Sequence, residues 1–247
     1  MKRQDFYFFA IALLLVMPFI PLPFLSNFQG AFLYNKQGDW WWAASFFKFG
    51  ILATMGECIG LRIGSGVYNR KGFGLLPRVI VWGFLGIGIK MAFVVFAAGT
   101  PVLVEHYFGV ADAIKSIDKK VSPDYLAAAS NGLGMARIFT AFCISVIMNL
   151  TFAPVFMTFH KITDTHIIDN GGSLGGFFRW IKLKEIFPRL NWFVQWDFVF
   201  KRTIPFFWIP AHTITFLLPS EYQVIFAAIL GIFLGIFMAL ANQKVNK

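Results

Sequence analysis

Charge is the scarcest commodity in this sequence. Asp, Glu, Lys and Arg make up 14% of its 247 residues, against roughly 25% in a soluble domain. Acids are the rarer sign, 12 against 22 Lys and Arg. There are only two cysteines, Cys58 and Cys143, and both fall in apolar runs. Cysteine there behaves as a small hydrophobe, so neither a disulfide framework nor a thiolate metal centre is expected. No Ser-His-Asp set, HExxH pair or pair of inward carboxylates appears, so no enzymatic reaction and no cofactor is expected. The net charge of +10 would suit nucleic acid in a soluble chain. Here no basic patch is interleaved with aromatics outside the apolar runs, and nucleic acid is set aside.

What the chain does have is apolar length. Hydrophobic residues make up 57% of it, in recurring runs of about 20 residues, the length that crosses a bilayer as a helix. The expected fold is an all-α polytopic transmembrane helix bundle, one domain over 1–247, with about six spans. These are 6–25, 44–66, 78–101, 136–159, 203–218 and 221–241. The first run, Phe6 to Leu25, is long for a signal-peptide core and lacks a small-residue cleavage site, so it reads as a retained span. It is also unlike an Arg-rich organelle presequence. Pro205, Pro210 and Pro219 predict a kinked fifth span, approached through the interfacial stretch "NWFVQWDFVFKR" (191–202).

The basic residues divide unevenly between the two sets of connections. Fifteen, from Lys2 and Arg3 through Arg62, Arg70, Lys71 and Arg78 to Lys244 and Lys247, fall on one side. Only Lys36, Lys48, Lys115, Lys119 and Lys120 fall on the other. By the positive-inside rule both termini face the cytoplasm, or the matrix of an organelle. The expected partner on that side is the bilayer itself, through its anionic headgroups. Two connections carry motifs that could mislead. "DNGGSLGG" (169–176) lacks the Lys-Ser/Thr of a phosphate loop and reads as a flexible linker. "HKITDTH" (160–166) has no usual metal-ligand spacing, so no metal is expected there.

Small residues mark helix seams. Gly56, Gly60 and Gly64 recur every four residues in the second span, as do Ala227, Gly231, Gly235 and Ala239 in the sixth. That spacing lets helix backbones approach closely in lipid. It suits either packing inside one bundle or a face for a second copy or another membrane-complex subunit.

Polar residues within the spans point to function. Glu57, Lys90, Asn149 and His212 lie nine to twelve residues from the expected cytoplasmic ends of their spans, roughly 14–18 Å deep at 1.5 Å per residue. They form one expected midplane layer on four helices. An intramembrane charge turns inward, so Glu57 and Lys90 are the expected ion pair. The layer suits an aqueous path or solute site; it equally suits a buried cluster that locks the bundle.

"TFAPVFMTF" (151–159) and "WIPAHTITFLLPSEYQV" (208–224) carry a further likeness. With "GILATMGECIG" (50–60), they resemble segments of the Mpv17/PMP22 family of small integral membrane proteins, in the manner of a bacterial-type member. Phe152, Ala153, Pro154, Trp208, Pro210, Phe216, Pro219 and Tyr222 carry the motif, with Glu57 at the family's acid position and Asn149 where its Gln falls. Departures are Met148 in place of Asp, Thr215 in place of Asn, and Gln223 in place of Arg. The resemblance implies a channel-like or transporter-like bundle passing a small solute. It also implies a mitochondrial inner or peroxisomal membrane in a eukaryote, whereas the lack of an organelle-type presequence makes a bacterial inner (plasma) membrane the expected location. The alternative is a non-transporting structural or accessory subunit of a membrane complex.

Overall fold

A computed structural model describes residues 3–19 and 40–245, with side chains of the last helix described to 236 except at 221 and 234. The described residues are mostly helical, with no strand among them. Ten α-helices follow in order: α1 (Arg3–Val16), α2 (Trp41–Ser65), α3 (Leu75–Phe108), α4 (Ala113–Ile117), α5 (Tyr125–Ser130), α6 (Gly134–Asp169), α7 (Leu174–Phe177), α8 (Leu183–Ile186), α9 (Ile209–Leu217) and α10 (Ser220–Val245). A π-helix, Val194–Trp208, runs directly into α9.

Among the described residues three helices are long and apolar enough to cross a membrane: α2 with 25 residues, α3 with 34 and α6 with 36. At 1.5 Å per residue α3 is about 50 Å long, well beyond a hydrocarbon core of about 30 Å. The chain is therefore consistent with an integral membrane protein. The end of the first predicted span, 20–25, lies outside the described residues.

Chain contacts divide into two compact units. The first comprises residues 1–87, 163–182 and 224–247. Here α2 and the start of α3 lie almost backbone to backbone. A Cβ on Gly50 would stand 2.8 Å from the Val79 carbonyl oxygen, and one on Gly86 would stand 2.8 Å from that of Ser45. On the other side of α2, a Cβ on Gly56 would stand 2.9 Å from Ile232 Cα in α10. The "DNGGSLGG" stretch departs from the expected linker. Gly171 and Gly172 take φ of 68° and 66°, ending α6 in a left-handed turn that a side chain would strain. A Cβ on Gly172 would lie 2.6 Å from Gly74 N, so the turn packs against the α2–α3 connection. Ser173 then caps α7, its Oγ accepting from Gly176 N at 3.0 Å.

The second unit comprises 88–162 and 183–223. Its interior holds Phe93, Ile144, Ile204 and Phe216, each at most 2% exposed. Phe93 meets Phe216 edge-on, with centroids 5.2 Å apart. Val104, Ala113 and Cys143 form a small cluster that ties α4 to α3 and α6.

Candidate functional site

In the first unit the polar centre is Arg78, in the first turn of α3. It is 7% exposed. Its Nη1 donates to Glu57 Oε2 of α2 at 2.6 Å, and its Nη2 pairs with Asp164 of α6. Its Nε donates to the Phe73 carbonyl at 2.8 Å, and the guanidinium lies over the Phe73 ring, 4.5 Å from the centroid. Trp82, one turn along α3, donates Nε1–H to Glu57 Oε1 at 2.9 Å. One cation is thus held by two carboxylates from two other helices. At the rim of this unit Arg62 forks onto Asp5 of α1, with Nε–Oδ1 at 2.8 Å and Nη2–Oδ2 at 3.2 Å. The Tyr68 hydroxyl donates to the same Asp5 carboxylate at 3.1 Å.

This corrects the expected Glu57–Lys90 pair. The carboxylate is engaged by Arg78 and Trp82, and Lys90 has no ion pair among the described residues. Arg78 and Asp164 are the participants that sequence reasoning missed. Arg78, the first residue of the expected third span, counts in the sequence only as a basic residue of the connection before it. Asp164 was placed in a loop because hydropathy ends the span near 159, whereas α6 continues helical to Asp169. The signal was a cation at the start of an apolar run with Trp82 at i+4, an arrangement that keeps both side chains on one face. His166, from the same "HKITDTH" stretch, is fixed by the Phe177 carbonyl at 3.0 Å and by Asn170 at 3.2 Å.

The expected midplane layer is divided between the units. Glu57 belongs to the first, and Lys90, Asn149 and His212 belong to the second. Asn149 and His212 do meet. Asn149, fully buried, directs Nδ2–H toward His212 Nδ1 at 3.1 Å and the Ser145 carbonyl at 2.8 Å. Ser145 Oγ donates to the Ile209 carbonyl at 2.7 Å, joining α6 to the first turn of α9. Trp208 lies against the His212 ring with centroids 5.1 Å apart.

Lys90 has a different setting. It lines a cavity of about 220 Å³ in the second unit. Arg137 of α6 and Lys119 of the α4–α5 connection line it too, with Ser220 and Gln223 from the start of α10. The α3 wall is a single helical stripe, 90, 93, 94, 97 and 98, the i, i+3, i+4, i+7, i+8 pattern of one face. Arg137 is 3% exposed. Its Nη1 donates to the Ser116 and Ser122 carbonyls at 2.8 and 2.6 Å, and its Nη2 to the Phe216 carbonyl at 3.4 Å.

The small-residue stripes are seams in part. Gly56 touches α10 closely, and Gly60 and Gly235 are within ordinary contact, with the Gly60 Cβ position 3.6 Å from the Gly235 carbonyl. Ala227 is buried at 3% exposure. Gly64 and Gly231 make no seam contact among the described residues: a Cβ on either would meet nothing within 4 Å there. Helical rotation explains this, since a four-residue step advances 400° and drifts about 40° per repeat off the contact line. The Ala239 side chain lies outside the described residues. Of the motif residues, Phe152, Ala153 and Pro154 sit half-buried inside α6, and Trp208 ends the π-helix. Pro210 opens α9, Phe216 is buried at 2%, Pro219 separates α9 from α10, and Tyr222 is 41% exposed.

The chain matches no family model, no curated protein and no solved structure, so the motif likeness stands on the quoted residues alone.

Proposed function

We propose that the chain is a channel-like or transporter-like integral membrane protein that passes a small solute. The observation that carries this reading is the cavity reaching Lys90, an ionisable residue well inside a 34-residue apolar helix. Intramembrane ionisable groups that border open volume commonly mark solute or ion paths. In this reading the six helical stretches all span, the fifth bends at its prolines, and both termini face the cytoplasm or matrix. A bacterial inner membrane suits that orientation, and the Mpv17/PMP22-like motifs belong with the same interpretation. No reaction is assigned to the chain.

A second reading is supported by a different observation. The polar groups around Arg78 and around Asn149 are largely consumed by one another. A bundle locked in this way suits an accessory subunit of a membrane complex. Proteoliposome swelling separates the two. Vesicles carrying the wild-type chain should admit acetate or glycerol faster than protein-free vesicles, and Lys90→Met should remove the gain. Equal swelling with and without protein would leave the subunit reading.

A further inference from the structure

We infer that the cavity of the second unit binds a small organic anion, a carboxylate or phosphate carrying a short apolar body, through Lys90, Lys119 and Arg137. The inference deepens the solute-passing reading and rests on it only for the claim that the anion is carried.

The wall has one sign of charge. Three cations line the cavity, and no Asp or Glu lines it among the described residues. None of the three has an ion pair among the described residues. Elsewhere the same chain does pair a half-buried and a buried cation, Arg62 with Asp5 and Arg78 with Glu57 and Asp164. Burying a charge without a counter-charge is expensive. Buried Arg137 and half-buried Lys90 beside one cavity are accounted for if the counter-charge is a ligand.

Arg137 is fixed in place. Its three carbonyl acceptors anchor the guanidinium without neutralising it. Asp124, the acid whose field reaches Arg137, is occupied as the cap of α5, its Oδ1 accepting from Ala127 N at 2.9 Å. Lys119 is exposed at one end, and Lys90 is half-buried. The α3 stripe from Lys90 to Ala98 is about 12 Å long at 1.5 Å per residue. The lysines are mobile point charges suited to phosphate or carboxylate.

Apart from Ser220 and Gln223, the rest of the wall is apolar. Phe93, Val94, Ala97, Ala98 and Phe216 line it. A bare inorganic anion would leave those side chains against water, whereas a short hydrocarbon body covers them. Two sources share this chemistry: a free organic acid or phosphate monoester, and the headgroup of an anionic lipid.

The test uses the full chain, delipidated in a neutral maltoside detergent at low ionic strength, where charge interactions are least screened. Butyrate, butyl phosphate, butylammonium and dihexanoyl phosphatidylglycerol are titrated separately by calorimetry. Butyl phosphate should bind saturably and butylammonium should not. Lys119→Met alters an exposed side chain and should leave the melting temperature unchanged, yet weaken binding about tenfold or more, the loss of one charge-assisted contact. Lys90→Met should do the same and Lys90→Arg should retain binding. Tighter binding of the short-chain lipid than of butyl phosphate assigns a lipid source, and the reverse assigns a free solute. The proposal is overturned if butyl phosphate does not bind or if both lysine variants bind it unchanged. Lysine-dependent binding without flux in proteoliposomes would sink the transport reading and leave the site standing. Flux through the wild-type chain with no binding of butyl phosphate would do the reverse.

Discussion

Arg78 Nη1 stands 2.6 Å from Glu57 Oε2, and that contact joins the start of α3 to α2. Asp164 completes the cluster from α6. Removing Arg78 leaves two carboxylates without their cation. Arg78→Leu should therefore lose about 3–5 kcal/mol of stability, the usual cost of breaking a buried pair from one side. Glu57→Gln keeps an acceptor for Trp82 and leaves Arg78 with Asp164, so its loss should be about 1 kcal/mol. Thermal unfolding in detergent gives both values. A wild-type midpoint for Arg78→Leu would show that the cluster is solvated.

The glycines of α2 and α10 should not respond alike. Gly56→Ala would place a Cβ 2.9 Å from Ile232 Cα, a backbone atom that can move only with its helix. A loss of about 1–3 kcal/mol is expected from such overpacking. Gly60→Ala meets only the Gly235 carbonyl at 3.6 Å, and Gly231→Ala meets nothing within 4 Å. Both should be neutral or stabilising by up to about 1 kcal/mol, the helix preference for Ala over Gly. Equal melting temperatures for Gly56→Ala and Gly231→Ala would refute the assigned seam.

Hydropathy made the helices legible but not their ends or partners. The apolar runs at 44–66, 78–101 and 136–159 became α2, α3 and α6 because helix is the only local structure that satisfies an apolar segment's backbone. The polar tail of α6 was invisible, since hydropathy reports where lipid stops rather than where hydrogen bonding stops. For the same reason "NWFVQWDFVFKR" read as a headgroup-level approach, although most of it belongs to the π-helix that leads into α9. Depth counting assigned Glu57 and Lys90 to one layer, yet pairing depends on which helix faces face each other. Only the pairing of Asn149 with His212 survives from that layer, because both helices turn those faces inward.

Tyr68 supplies a pH dependence. Partial burial, then its hydrogen bond to Asp5, raises its pKa above the ordinary tyrosine value. A raised folded-state pKa means that folding holds the proton more tightly. The contribution is complete below the unfolded pKa of about 10 and disappears as pH rises through the folded value. Tyr68→Phe should thus flatten the alkaline fall in stability above about pH 10. Tyrosinate absorbance should show one late-titrating group missing from the variant. An unchanged titration and an unchanged alkaline limb would exclude Tyr68 as the cause.

The two polar features of the second unit should separate by variant. Asn149 is enclosed, and its amide is spent on the Ser145 carbonyl and His212 Nδ1. Asn149→Leu leaves the histidine nitrogen without its donor, at a cost of about 1–3 kcal/mol for an unsatisfied buried group. Because that bond joins two helices and borders no open volume in the cavity lining, solute flux through the folded fraction should not change. Lys90→Met reverses the pattern. It removes a charge with no ion pair among the described residues, so stability should hold or rise, while flux falls. Melting temperature and proteoliposome swelling, measured on both variants, decide the matter. If Asn149→Leu abolishes flux at full stability and Lys90→Met leaves it intact, the path runs past the histidine and the cavity is only a packing gap.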